Sequence, residues 1–98
     1  MTGETIKKVC EIMRLATIIN PGATCREKTG DKPTVFVEFS GHCCLLTVSV
    51  NENGWDADIN CEPDIRWRLY LDYFEEDAEK LDEVMAYLKK LAEKLGVM

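Results

Sequence analysis

From residue 34 to residue 62 the chain reads TVFVEFSGHCCLLTVSVNENGWDADINCE, and this stretch restricts the available folds more than any other. Apolar and polar residues alternate, and the alternation is broken at Ser40-Gly41 and Asn53-Gly54. That pattern predicts strands reversed by tight turns, because glycine supplies the positive φ such turns require. With two-residue turns Phe39 stands opposite His42, and Glu52 opposite Trp55. One face then collects Val35, Val37, Phe39, His42, Cys44, Leu46, Val48, Val50, Trp55, Ala57, Ile59 and Cys61. The other collects Thr34, Phe36, Glu38, Cys43, Leu45, Thr47, Ser49, Asn51, Asp56, Asp58, Asn60 and Glu62. One greasy and one mostly polar face is the pattern of an antiparallel sheet buried on a single side.

This register bears on the chain's only histidine, which adjoins two of its five cysteines. Cys43 and Cys44, as strand neighbours, point to opposite sides of the sheet and cannot both face one ion. His42 and Cys44 share a side, but zinc asks for one or two further ligands. The expectation is a half-exposed turn histidine beside buried cysteines, with no metal and no cofactor. The cysteines Cys10, Cys25, Cys43, Cys44 and Cys61 are odd in number and lack CxxC spacing, so they read as thiols in a reducing compartment. Cys25, in the loop over residues 22–33 with Arg26, Lys28 and Lys32, is the best candidate for a reactive thiol.

Helices flank the strands. TGETIKKVCEIMRLATIINPG predicts an amphipathic helix with Ile6, Val9, Cys10, Met13, Ala16 and Thr17 inward, ended by Asn20-Pro21-Gly22. Leu15 and Ile18 fall outside that stripe, free to touch another element or a partner. EEDAEKLDEVMAYLKKLAEKLG predicts a second helix with Leu81, Val84, Met85, Leu88, Leu91, Ala92 and Leu95 inward, acids in its first turns, lysines in its last, and Gly96 as its stop. PDIRWRLYLDYF reads either way. As a strand it turns Trp67, Leu69, Leu71 and Tyr73 to the core, and its alternation favours this; as a helix it sets Ile65, Leu69 and Tyr73 on one side. The predicted fold is a two-layer α+β sandwich, one domain over residues 1–98: helix, a meander of three or four antiparallel strands, helix, with both helices on one face.

Ninety-eight residues leave room for one core. No apolar run reaches the roughly 20 residues that span a bilayer, and no export signal opens the chain, so the expected location is the cytoplasm. Residues 51–83 hold twelve acids against three bases, inside a net charge of −6. Such a segment repels phosphate backbones and argues against direct nucleic-acid binding. The order helix, three strands, helix resembles the double-stranded RNA-binding domain. Where that family carries a lysine-rich start to its last helix this chain has EEDAEK, so the resemblance covers the order of elements and not the function.

No paired carboxylates, phosphate loop or nucleophilic triad is legible, so no enzyme is expected. The predicted function is a small acidic protein-binding module, an adaptor or inhibitor of the kind phages and mobile elements encode, whose partner is another protein, a second copy of the chain included. Its expected contacts are Phe36, Leu45, Asp56, Asp58 and Tyr70 on the open sheet face and Glu75, Glu76 and Asp77 at the second helix's start. Burial of Phe36 and Leu45 against a partner would contribute about 3 to 6 kcal/mol before the costs of association. Two alternatives use other features. In one, Asp72, Glu75, Glu76, Asp77, Glu79, Asp82 and Glu83 mimic phosphates and block a basic groove, as anti-CRISPR inhibitors do; in the other the chain is a secretion-chaperone-like dimer.

Overall fold

The computed structural model describes residues 1–20, 29–59 and 62–98. Its elements run α1 (Gly3–Ile19), β1 (Thr34–Ser40), β2 (Leu45–Asn51), β3 (Ile65–Tyr70) and α2 (Glu75–Leu95). The strands form one antiparallel sheet in the order β1-β2-β3. The helices lie side by side, α1 over β1 and α2 over β3, so the molecule is the two-layer α+β sandwich its pattern predicts. Cys25 and most of the 22–33 loop fall outside the described residues, as do Asn60 and Cys61.

Pairing joins Val35 to Val50, Val37 to Val48 and Phe39 to Leu46, and then Val50 to Ile65, Val48 to Trp67 and Leu46 to Leu69. These rows face the helices. Leu46, Val48 and Val50 are fully buried against Ile12, Leu15, Leu81, Val84 and Leu88, each of which is also at 0 % exposure. Each such aliphatic side chain contributes about 1.5 to 3 kcal/mol by leaving water.

The first turn differs from the expected Ser40-Gly41 reversal. Ser40 pairs with Leu45, so the loop is Gly41–Cys44, four residues long. Cys43 N–H donates to the Ser40 carbonyl at 3.3 Å, and Cys44 follows with φ 49°, in the left-handed region. Such loops are commonly built on a type I turn, which Ser-Gly at its start accommodates. Leu46, four positions beyond His42, therefore stands opposite Phe39. Because the displacement is even, every side chain of β1 and β2 keeps the face assigned to it.

The third strand is a larger correction. β2 ends at Asn51, residues 52–59 belong to no strand of the sheet, and Ile65–Tyr70 takes the place expected for WDADINCE. Gly54 N–H closes onto the Asn51 carbonyl at 3.4 Å, one residue earlier than a type I′ hairpin would. Asp56 then turns the chain again, its Oδ1 accepting from Asp58 N–H at 2.9 Å. Asp, Ala and Asn are weak strand formers, whereas IRWRLY alternates cleanly and offers Trp67 and Leu69 to the core, both buried. Ile59 is accordingly 63 % exposed and Ala57 is exposed. Leu71 is buried as expected, but the chain turns before Tyr73, which is 74 % exposed.

Both helices form where expected. On α1 the buried stripe is Ile12, Leu15, Ala16 and Ile19, and the expected members Ile6, Cys10, Met13 and Thr17 face water. This helix is apolar over most of its circumference, and the sheet takes the side with the bulkier aliphatics. Thr2 caps it, its Oγ1 accepting from Thr5 N–H at 3.1 Å. At its end Asn20 is extended, and its side-chain amide pairs with β1 as a strand would: Oδ1 accepts from Val35 N–H at 2.6 Å and Nδ2 donates to the Val35 carbonyl at 2.9 Å. On α2, Gly96 adopts φ 72° and Val97 N–H returns to the Ala92 carbonyl at 3.2 Å, closing a Schellman motif.

Candidate functional site

Both helices occupy one side of the sheet, so the rows pointing away from them form an uncovered face. Three rows cross it: Ser40, Leu45 and Tyr70; Glu38, Thr47 and Arg68; Phe36, Ser49 and Arg66. The central strand contributes Leu45, Thr47 and Ser49, shorter than the Phe36, Glu38, Arg66 and Arg68 side chains on either side. The face is therefore hollowed along β2, forming a depression of about 560 Å³. Glu38, Arg66 and Arg68 are exposed and make no ion pair among the described residues.

A clasp between two loops closes one end of the depression. Thr29 N–H donates to the Trp55 carbonyl at 2.8 Å, Trp55 N–H donates to Thr29 Oγ1 at 2.7 Å, and Thr34 Oγ1 meets Thr29 Oγ1 at 2.8 Å. Thr34, in the clasp, and its strand partner Asn51, whose Nδ2 donates to the Glu62 carbonyl at 3.2 Å, are both buried although they belong to the outer face of the sheet. It also lays the Trp55 ring edge-on to Phe36, centroids 5.5 Å apart. Gly54 lies so near Gly30 that a Cβ there would fall 1.7 Å from the Gly30 carbonyl oxygen.

The far end of the sheet holds the aromatic and acidic residues. Tyr70 packs edge-on against Tyr73 and Phe74, at 6.5 and 6.3 Å between centroids. Several acids expected to be free for a partner have internal work. Asp77 Oδ2 accepts from Tyr70 N–H at 2.9 Å, tying the start of α2 to the edge of β3. Asp82 pairs with Lys8 at 3.1 Å across the two helices, which raises the lysine's pKa. Asp72 receives the Met1 amine at 3.0 Å, and this contact, followed by a hydrogen bond from the Cys44 thiol, holds its carboxyl below the usual range. The same Asp72 bond, reinforced by burial, pushes the Cys44 thiol up, away from the thiolate a nucleophile needs. His42 lies exposed on the turn. Among the described residues no group of three or more His, Cys, Asp or Glu is placed to hold a metal ion.

Of the expected contacts, Phe36, Leu45 and Tyr70 lie half-buried on the open face, and Glu75 and Glu76 are exposed at the start of α2. Asp56 and Asp58 are a correction: they follow β2 and lie on no strand of the sheet, so they are not members of the rows that form the face. Arg66 and Arg68 hold the outer third of the sheet on β3, the face their alternation predicts, and its charge there is basic. Trp55 is a second correction, since it belongs to the open face and not to the core. The exposed Tyr73–Phe74 pair was missed; the signal available was the Asp72-Tyr73 break in alternation just before the acidic helix start.

Comparison with known proteins finds no match: no family model, curated protein or solved structure is significantly similar to this chain. No described helix is long and apolar enough to cross a membrane.

Proposed function

We propose that this protein is a non-catalytic binding module that docks another protein on the uncovered face of its sheet. The observation that supports this reading is the Glu38, Arg66 and Arg68 side chains, without an ion pair among the described residues, flanking a hollow that Phe36 and Trp55 border at one end. Exposed side chains of both signs beside an aromatic wall match the polar rim and aromatic anchor of a protein interface. A complementary surface would offer acid to β3 and base or aromatic-facing cation to β1. This reading is preferred to phosphate mimicry because Asp77 and Asp82 are engaged within the fold.

The test is affinity capture from the source organism with the wild type and with Phe36→Asp/Leu45→Asp. The expected result is a specific partner retained by the wild type and lost by the double variant, which still melts cooperatively. Equal retention by both would refute docking at this face.

A further inference from the structure

We infer that the protein this face accepts is a second copy of the same chain, packed sheet to sheet about a two-fold axis parallel to the strands. The inference rests on the docking role of the face and adds the identity of the partner. Strand register carries it. Glu38, Thr47 and Arg68 lie in one row across the sheet, as do Phe36, Ser49 and Arg66. Strands stand about 4.8 Å apart, so each row places its β1 and β3 members roughly 10 Å apart on either side of β2.

An axis parallel to the strands and passing over β2 lays β1 of one copy on β3 of the other, and each row meets itself reversed. Glu38 faces Arg68 of the second copy, Arg68 faces its Glu38, and Thr47 meets Thr47. In the next row Arg66 reaches the Phe36–Trp55 pair of the second copy, the arrangement of a cation–π contact. Both rows are complementary to themselves. The other in-plane axis, perpendicular to the strands, lays β1 on β1 and β3 on β3, so the arginines of β3 meet arginines, and charge selects the first packing. The hollow over Thr47 and Ser49 leaves room for the arginine side chains of the facing copy. Packed sheets align in this manner about 10 Å apart.

Size limits the strength. A face three strands wide and seven residues long covers on the order of 400 Å² per copy, half the roughly 800 Å² of a standard interface. The net charge of −6 on each copy opposes association as well. The dimer is therefore weak, with a dissociation constant of micromolar or above.

Charge exchange tests it. Sedimentation velocity between about 10 µM and about 1 mM, bracketing that range of affinity, is run on the wild type, Glu38→Arg, Arg68→Glu, the double variant, and an equimolar mixture of the two single variants. Glu38 and Arg68 are exposed, so folding survives and circular dichroism verifies it. The wild type is expected to dimerise, each single variant to do so at least about ten-fold more weakly, and both the double variant and the mixture to recover. A wild type that stays monomeric throughout, or single variants that dimerise as the wild type does, would overturn the inference. A monomeric wild type that still loses its captured protein on Phe36→Asp/Leu45→Asp would refute the second copy and leave the docking face standing.

Discussion

Asn20 substitutes for a strand at the edge of the sheet, and Asn20→Ala removes that substitute cleanly. Its side chain makes two hydrogen bonds with Val35, at 2.6 and 2.9 Å, and Val35 is 5 % exposed. Each bond contributes about 0.5 to 1.5 kcal/mol net, and a buried amide left without a partner costs about 1 to 3 kcal/mol. Water reaches the half-buried site in part, so a loss of about 2 kcal/mol is expected. The residue is extended, with φ −63° and ψ 137°, which alanine adopts without strain, so the loss reports on the side chain. For a domain of this size that corresponds to a melting temperature about 8 to 16 °C lower. Urea denaturation gives the free energy, and amide hydrogen exchange locates it: Val35 N–H loses protection in Asn20→Ala but keeps it in Asn20→Asp, which retains the accepting oxygen. A change under about 0.5 kcal/mol with Val35 protection intact would refute the reasoning.

Three further perturbations probe the core, the clasp and the helix–loop contact. Leu88→Ala empties a site at 0 % exposure between α2 and the sheet, and urea denaturation is expected to show a loss of about 2 to 5 kcal/mol. Gly54→Ala drives a Cβ into the Gly30 carbonyl and holds alanine at φ +103°; a loss of at least about 2 kcal/mol and a red-shifted tryptophan emission are expected, and an unmoved urea midpoint would contradict the clasp. Tyr87 packs edge-on against Trp67 at 5.4 Å and donates its hydroxyl to Glu52; burial first, and then that bond, push its phenol well above the ordinary value. A raised pKa means the contribution is whole below the unfolded value near 10 and fades as pH rises beyond it. The stability difference between the wild type and Tyr87→Phe should therefore be level from about pH 6 to about pH 9 and fall above about pH 10, and a difference unchanged to about pH 11 would count against it.

Much of the fold was legible because its periods are strong. The α2 stripe and its glycine stop are strong signals, and Leu81, Val84, Leu88, Leu91 and Ala92 are buried as read. The sorting of β1 and β2 held despite a wrong loop. The Asn53-Gly54 signal misled because dipeptide turn preference is local, while strand identity is settled by what the core will accept. IRWRLY supplies Trp67 and Leu69 to that core, and WDADINCE has nothing of equal bulk at those positions. On α1 two overlapping apolar stripes share Val9 and Ala16, and only the sheet's position distinguishes them. The candidate face suffered from the same error, because losing the WDADINCE strand took Asp56 and Asp58 out of the sheet, while Arg66 and Arg68, legible on the outer face from the alternation of IRWRLY, stand there directly beside β2. Trp55 followed the loop, and no pattern within the chain foretells that Thr29 would hold it.

The loop between Ser40 and Leu45 has a bearing on how this chain can vary over evolutionary time. Removing two residues from it shortens the connection and leaves each β2 side chain on its present flank; removing one turns Leu46, Val48 and Val50 toward solvent and Leu45, Thr47 and Ser49 toward the helices. Descendants that gain or lose length at this tip should do so in pairs, and a single deletion there should survive only beside a second one that restores the count.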